Sequence, residues 1–340
     1  MKNIFILTLV VVIAGCNNNT ENKDQVKKAK YKTMGTIERL DSALNNIISP
    51  NASPEIIAEG FDWSEGPLWI EKHNMLLFSD VPANTIYKWT EENGKEVYLK
   101  PSGFGGDTTQ SKEPGSNGLL LDPDGNLVLC QHGNRQMARM DAPLDKPEPK
   151  YITLADKYKG KRFSSPNDAV YNSAGELFFT DPPYGLPLQN DSDPAKEIPF
   201  NGVYKVKKNG EVILLTDSIT RPNGIAFLPG EKKLIVASSD PDKPNWYIFD
   251  VTGDSLSNGK IFYSAADRDT TLKGLPDGFK VNKEGIVFAS GPGGVWIFNS
   301  DGKLLGKIKL EEATSNIAFS PDENTLFITN DMYVLRLKLK

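Results

Sequence analysis

The chain has 340 residues, with 39 basic and 44 acidic side chains and a net charge of −5, so it lacks the basic surplus of a general nucleic-acid binder. Two cysteines and two histidines exclude a disulfide framework, a multi-thiolate zinc site and a histidine-rich metal centre. Any metal must therefore be held mainly by oxygen.

Residues 1–15 read as an address. Lys2 supplies a positive start, and residues 4–14 form an apolar run, shorter than the roughly 20 residues that a bilayer span needs. The run ends in Ala14-Gly15-Cys16, which resembles a bacterial lipoprotein signal with Cys16 as the lipidated residue; an ordinary secretory signal is the alternative. The expected place is the bacterial cell envelope, with membrane contact through the lipid alone. Residues 16–36 begin with a polar stretch and read as a tether. Cys130, inside an apolar run, reads as an inert buried thiol. Ile37, Leu40, Leu44 and Ile47 recur at helical spacing and predict a short amphipathic helix within 37–52.

From residue 53 to 340 short β-type runs alternate with turn signals. Glu65, Asn117, Asn167, Asn223, Asp277 and Asn316 each precede a similar strand-turn-strand unit, at intervals of 52, 50, 56, 54 and 39. A period near 50 without helices predicts an all-β, six-bladed β-propeller. The sixth unit is short by a strand. A spare strand at 55–60 is predicted to complete it and close the ring, which removes two exposed sheet edges.

The six polar residues all stand before the innermost strand of a blade, so near-symmetry should gather them at one mouth of the channel. Asp80, His132, Asp181, Tyr184 and the 239–245 turn fall on the same face. So do two Gly/Pro-rich insertions, 101–116 and 185–202, read as lids over a pocket. Glu65, Asn167, Asn223 and Asp277 offer two carboxylates and two amide oxygens. This hard donor set suits one divalent cation, Ca²⁺ best, with Mg²⁺ or Mn²⁺ as substitutes and Zn²⁺ less natural.

The segments IERLDSALNNII, EGFDWSEGPLW, SNGLLLDPDG, QHGNRQ, SPNDAVY, TDPPYGL, RPNGIAF and LPDGF together resemble the regucalcin/gluconolactonase family of six-bladed propellers, and most of all its bacterial gluconolactonase branch. The resemblance covers about 300 residues. It implies one divalent ion held by Glu65, Asn167, Asn223 and Asp277, and hydrolysis of a sugar lactone. Some family members carry an arginine two residues before the Asn167 position; this chain has Ser165. Asp277 is the candidate general base, with metal-activated water as the alternative. His132 is read as a proton shuttle or hydroxyl ligand, or as a packed loop histidine. Asn117, Asp168, Tyr184, Arg135 and Arg221 are the candidate substrate contacts, with Asp168 also placed to support Asn167 from behind. Asn316 has no assigned role. A metal-dependent phosphotriesterase and a lipid-anchored binding propeller are the rival functions.

Overall fold

The computed structural model describes residues 30–106 and 111–340. The leader, Cys16 and most of the expected tether lie outside the described residues.

Six antiparallel blade sheets follow one another along the chain, with a two-stranded hairpin, Lys157–Tyr158 and Lys161–Arg162, between the second and third. Blade one is built from Ser64–Ile70, Met75–Asp80, Thr85–Thr90 and Gly94–Leu99. Blades two to five repeat the order, with innermost strands Ser116–Leu121, Ala169–Tyr171, Pro222–Phe227 and Phe279–Val281. Blade six has Thr314–Phe319, Thr325–Asn330 and Tyr333–Lys338 from the C-terminus. Its fourth strand is Glu55–Glu59, paired antiparallel with Glu55 opposite Arg336 and Glu59 opposite Tyr333. The ring is thus closed by the spare strand that the period predicts. The sheets are apolar on both faces because each blade packs between two neighbours: Trp89, Phe178, Trp246, Phe279 and Phe298 are all buried.

The closure carries a charged clasp. Arg336 donates to Glu55 at 2.6 and 2.9 Å and to Glu91 at 2.6 Å, and its guanidinium lies 5.1 Å from the Tyr31 ring. The two carboxylates are partly in water, which discounts their contribution. Arg336→Ala is expected to lower stability by about 1–2 kcal/mol, read from urea denaturation, and by less when Glu55 is already alanine. Equal losses in both backgrounds would show that the clasp does not hold the ring.

The helix expected within 37–52 is formed only in part and as a 3₁₀ helix. Thr36–Arg39 is a strand on the outer edge of blade five, pairing Thr36 with Lys309 and Arg39 with Gly306. A short 3₁₀ turn, Ser42–Asn46, follows, capped by the Asp41 carboxylate on the Ala43 N–H at 2.8 Å. The open edge of Leu304–Lys309 offers backbone partners that a free helix cannot match, and pairing there also covers an exposed edge. Leu44 and Ile48 still reach the core, whereas Leu40 is left in solvent. The folded chain also starts earlier than the tether reading: Thr33 bridges to Glu55, and Met34 packs on the same core. Cys130 is fully buried, and burial pushes its thiol well above the ordinary range, as an inert core cysteine requires.

Candidate active site

Four of the six ring residues stand where their innermost strand breaks register, and Asn167 and Asp277 stand two residues before theirs begins. The pairing shifts between Glu65 and Leu68, Ser116 and Leu119, Pro222 and Ile225, and Thr314 and Asn316. Such bulges re-aim a side chain out of the sheet plane, here toward the channel mouth. The glycine after the polar residue is required by close approach. A Cβ on Gly66 would sit 2.2 Å from the Asn117 carbonyl oxygen, and one on Gly224 2.3 Å from that of Asp277. Neighbouring innermost strands therefore touch backbone to backbone exactly where the polar side chains emerge. Cross-blade bonds pin them: Ser79 Oγ donates to the Asn117 carbonyl at 2.9 Å and Thr180 Oγ1 to that of Asn223 at 2.7 Å.

The result is one cavity of about 340 Å³ lined by Glu65, Asn117, Asn167, Asn223 and Asp277, with Trp63, Glu113, Tyr184, Ser239, Leu275 and Thr314 among its walls. Four acceptor oxygens in it are buried without a partner: Oδ1 of Asn117, Asn167, Asn223 and Asp277. The Asn223 amide is oriented by its Nδ2, which donates to Ser239 Oγ at 3.3 Å, while Ser239 shares a 2.5 Å bond with the Tyr184 hydroxyl. Glu65 Oε2 accepts from the Gly66 N–H at 2.7 Å.

Electrostatics point the same way. Burial first, then the charge of Asp168, pushes Glu65 up to about 8. Burial and the charges of Glu65 and Asp168 push Asp277 well above the carboxylate range. Buried acids and unpartnered oxygens gathered on one cavity lack a positive partner. A divalent cation supplies one, and the donors fit it: carboxylate and amide oxygens, with water to complete the shell. Among the described residues no three His, Cys, Asp or Glu side chains form a metal cluster, so the amide oxygens are essential to any such site.

Several expected contacts are not on this cavity. Asp168 is buried beneath it. Its Oδ1 accepts from the Ala169 N–H at 2.9 Å, and its Oδ2 lies 3.5 Å from Asn316 Nδ2 and 3.7 Å from Lys280 Nζ. Asp168 occupies the position where blades one, two, four and five have the ring glycine, and its side chain turns into the channel instead. Asn316 joins it there, accepting from Lys280 at 3.3 Å, so the sixth ring member belongs to the channel floor. His132 is fully buried behind Glu113, with Nδ1 3.2 Å from Glu113 Oε2. Arg135 is drawn away by the Phe163 carbonyl, to which Nε donates at 2.6 Å. Arg221 lies behind Tyr184, its guanidinium 5.6 Å from the ring. Asp181 accepts from the Ser164 and Ser165 N–H groups at 2.9 and 2.7 Å and so shapes the loop that presents Asn167. Sequence reasoning missed Glu113 because it sits in an irregular insertion outside the repeat, and Trp63 because its blade position carries no polar signal.

A larger groove of about 830 Å³ runs along the outer strands of blades four and five, and it contains none of the ring residues.

Comparison with known proteins gives a consistent picture. Residues 63–331 match the family described as the SMP-30/Gluconolactonase/LRE-like region. A gluconolactonase of Zymomonas mobilis is 39% identical over 347 aligned positions, covering 100% of this chain and 95% of that protein. A lactonohydrolase of Aspergillus oryzae is 29% identical over 53% of this chain and 45% of its own length. Among solved structures, a gluconolactonase from Xanthomonas campestris superposes with a TM-score of 0.77 at 29% identity, covering 93% of this chain and 99% of that one.

Proposed function

This chain belongs to the SMP-30/gluconolactonase/LRE-like family, and from that premise we propose that it hydrolyses a sugar lactone of the gluconolactone type to the aldonic acid. The observation that carries the reading is the set of four buried, unpartnered oxygens beside Glu65 on a single cavity. Glu65, Asn167, Asn223 and Asp277 would hold a divalent cation, Ca²⁺ first by donor type. When bound, such an ion polarises the lactone carbonyl and stabilises the charge that develops on its oxygen.

The protein's own groups do the rest. Asp277 Oδ1 has no hydrogen-bond donor to satisfy it, so it is free to take the proton of the attacking water. As the new C–O bond forms and the ring C–O bond breaks, that proton returns to the ring oxygen, which leaves as a hydroxyl. Asn117 Oδ1, also unpartnered, accepts from a substrate hydroxyl. Trp63 and Leu275 line the cavity as well, and their apolar surfaces limit the water beside the reacting carbonyl.

A pH-stat assay on glucono-1,5-lactone, corrected for spontaneous opening, tests this. Acid release well above background is expected, and it should disappear with a chelator and return with added Ca²⁺. Turnover of a phosphotriester with none of the lactone would overturn the substrate class. Full activity after complete metal removal would overturn the ion's role.

A further inference from the structure

We propose that Glu113, presented by the 101–116 insertion, forms a hydroxyl-recognition subsite that selects polyhydroxylated lactones over bare ones. The inference rests on the lactonase reading and adds the feature by which the site tells a sugar ring from a simple ring ester.

Glu113 is a wall of the same cavity as Glu65 and Asp277, and its carboxylate is held by one hydrogen bond and flanked by a buried imidazole. Gln189, from the other insertion, donates Nε2 to Oε1 at 2.9 Å. His132, fully buried, brings Nδ1 within 3.2 Å of Oε2. The two insertions are also tied by Ser111 Oγ, which donates to the Gly185 carbonyl at 2.9 Å. A carboxylate has about four acceptor positions, and the Gln189 bond takes one of them, on Oε1. The side chain is still 21% exposed and borders the cavity, so acceptor capacity remains for a ligand there.

The surroundings leave recognition to acceptors. No lysine or arginine lines this cavity among the described residues. Ser165 is fully buried and spent on structure: its hydroxyl donates to the Pro182 carbonyl at 2.6 Å and accepts from the Gly185 N–H at 2.8 Å. A fixed carboxylate accepts from a sugar hydroxyl through a charge-assisted bond, stronger than a neutral one. A lactone without hydroxyls gains nothing from it and leaves part of the carboxylate poorly solvated.

The test compares glucono-1,5-lactone with δ-valerolactone, which has the same ring and no hydroxyls. Glu113→Gln keeps the shape and removes the charge. It is expected to reduce the preference for glucono-1,5-lactone, measured as the ratio of the two kcat/KM values, by about tenfold, chiefly through KM. Gln189→Asn tolerates the left-handed backbone at that position (φ 54°) but cannot reach as far, and should shift the ratio the same way by less. Calorimetric titration with the non-hydrolysable gluconolactam reads the subsite without turnover, and Glu113→Gln should weaken it about as much. An unchanged ratio together with unchanged lactam affinity overturns the proposal. If the wild type opens neither lactone but Glu113→Gln still weakens the lactam, the hydrolytic reading falls and the subsite stands.

Discussion

Asp277→Asn is expected to lower kcat on glucono-1,5-lactone by at least about a hundredfold, in the range removed with a general base, even at saturating cation. Asparagine keeps an oxygen at nearly the same place, so the ring of donors survives; what it loses is the capacity to carry a proton. Glu65→Gln is the contrasting case. Glu65 has no proposed part in proton transfer, and its buried carboxylate would contribute charge to the proposed cation's enclosure. That variant should bind Ca²⁺ more weakly, as read by calorimetry, and recover most of its kcat as Ca²⁺ is raised. Recovery of the Asp277→Asn variant to wild-type rates at high Ca²⁺ would reduce Asp277 to a ligand and pass the base to water.

The second large effect concerns the metal-free protein and pH. Glu65 is raised to about 8 and Asp277 and Asp168 are raised in the same direction, chiefly by burial. A raised carboxylate holds its proton more tightly in the folded chain than in the unfolded one. Its contribution to stability is therefore fully present below the ordinary carboxylate range and is lost as pH rises through the folded value. Chelated protein should become less stable between about pH 4.5 and pH 8, by on the order of a few kcal/mol. A cation competes with those protons and removes the penalty. Added Ca²⁺ should thus raise Tm much more at pH 8 than at pH 5. Equal increments at the two pH values would show that Glu65 and Asp277 do not meet the ion.

The repeat was readable because a propeller writes one motif six times. The interval near 50, the polar residue and the following strand survive even where the rest of the blade diverges, and the missing strand of blade six was visible as a deficit at one end and a surplus at the other. Glu65, a poor turn former in a slot otherwise held by Asn and Asp, was the strongest local hint that the slot serves chemistry. The ring glycines were legible only as turn formers. Their actual cause is contact: at Gly66 and Gly224 the next innermost strand passes within 2.2 and 2.3 Å of where a Cβ would be, and no local pattern encodes a neighbour some 50 residues away.

The amphipathic period at 37–47 shows the opposite failure. Leu44 and Ile48 are core residues, but the open edge of blade five captured Thr36–Arg39 as a strand, because unpaired backbone groups at an edge outweigh a short helix's weak local preference.

By itself, the amino-acid order determined the number of blades and the manner of closure, since each follows from residue type and spacing along one chain, and it supplied the candidates for the ring of oxygen donors. Only the tertiary structure decided which polar side chains share the cavity. Asp168, Arg135, Arg221 and His132 turned to backbone and charged partners around them, while Glu113 was brought in from an insertion with no repeat to announce it. Side-chain direction depends on what lies across the blade interface, and that is settled when the ring closes.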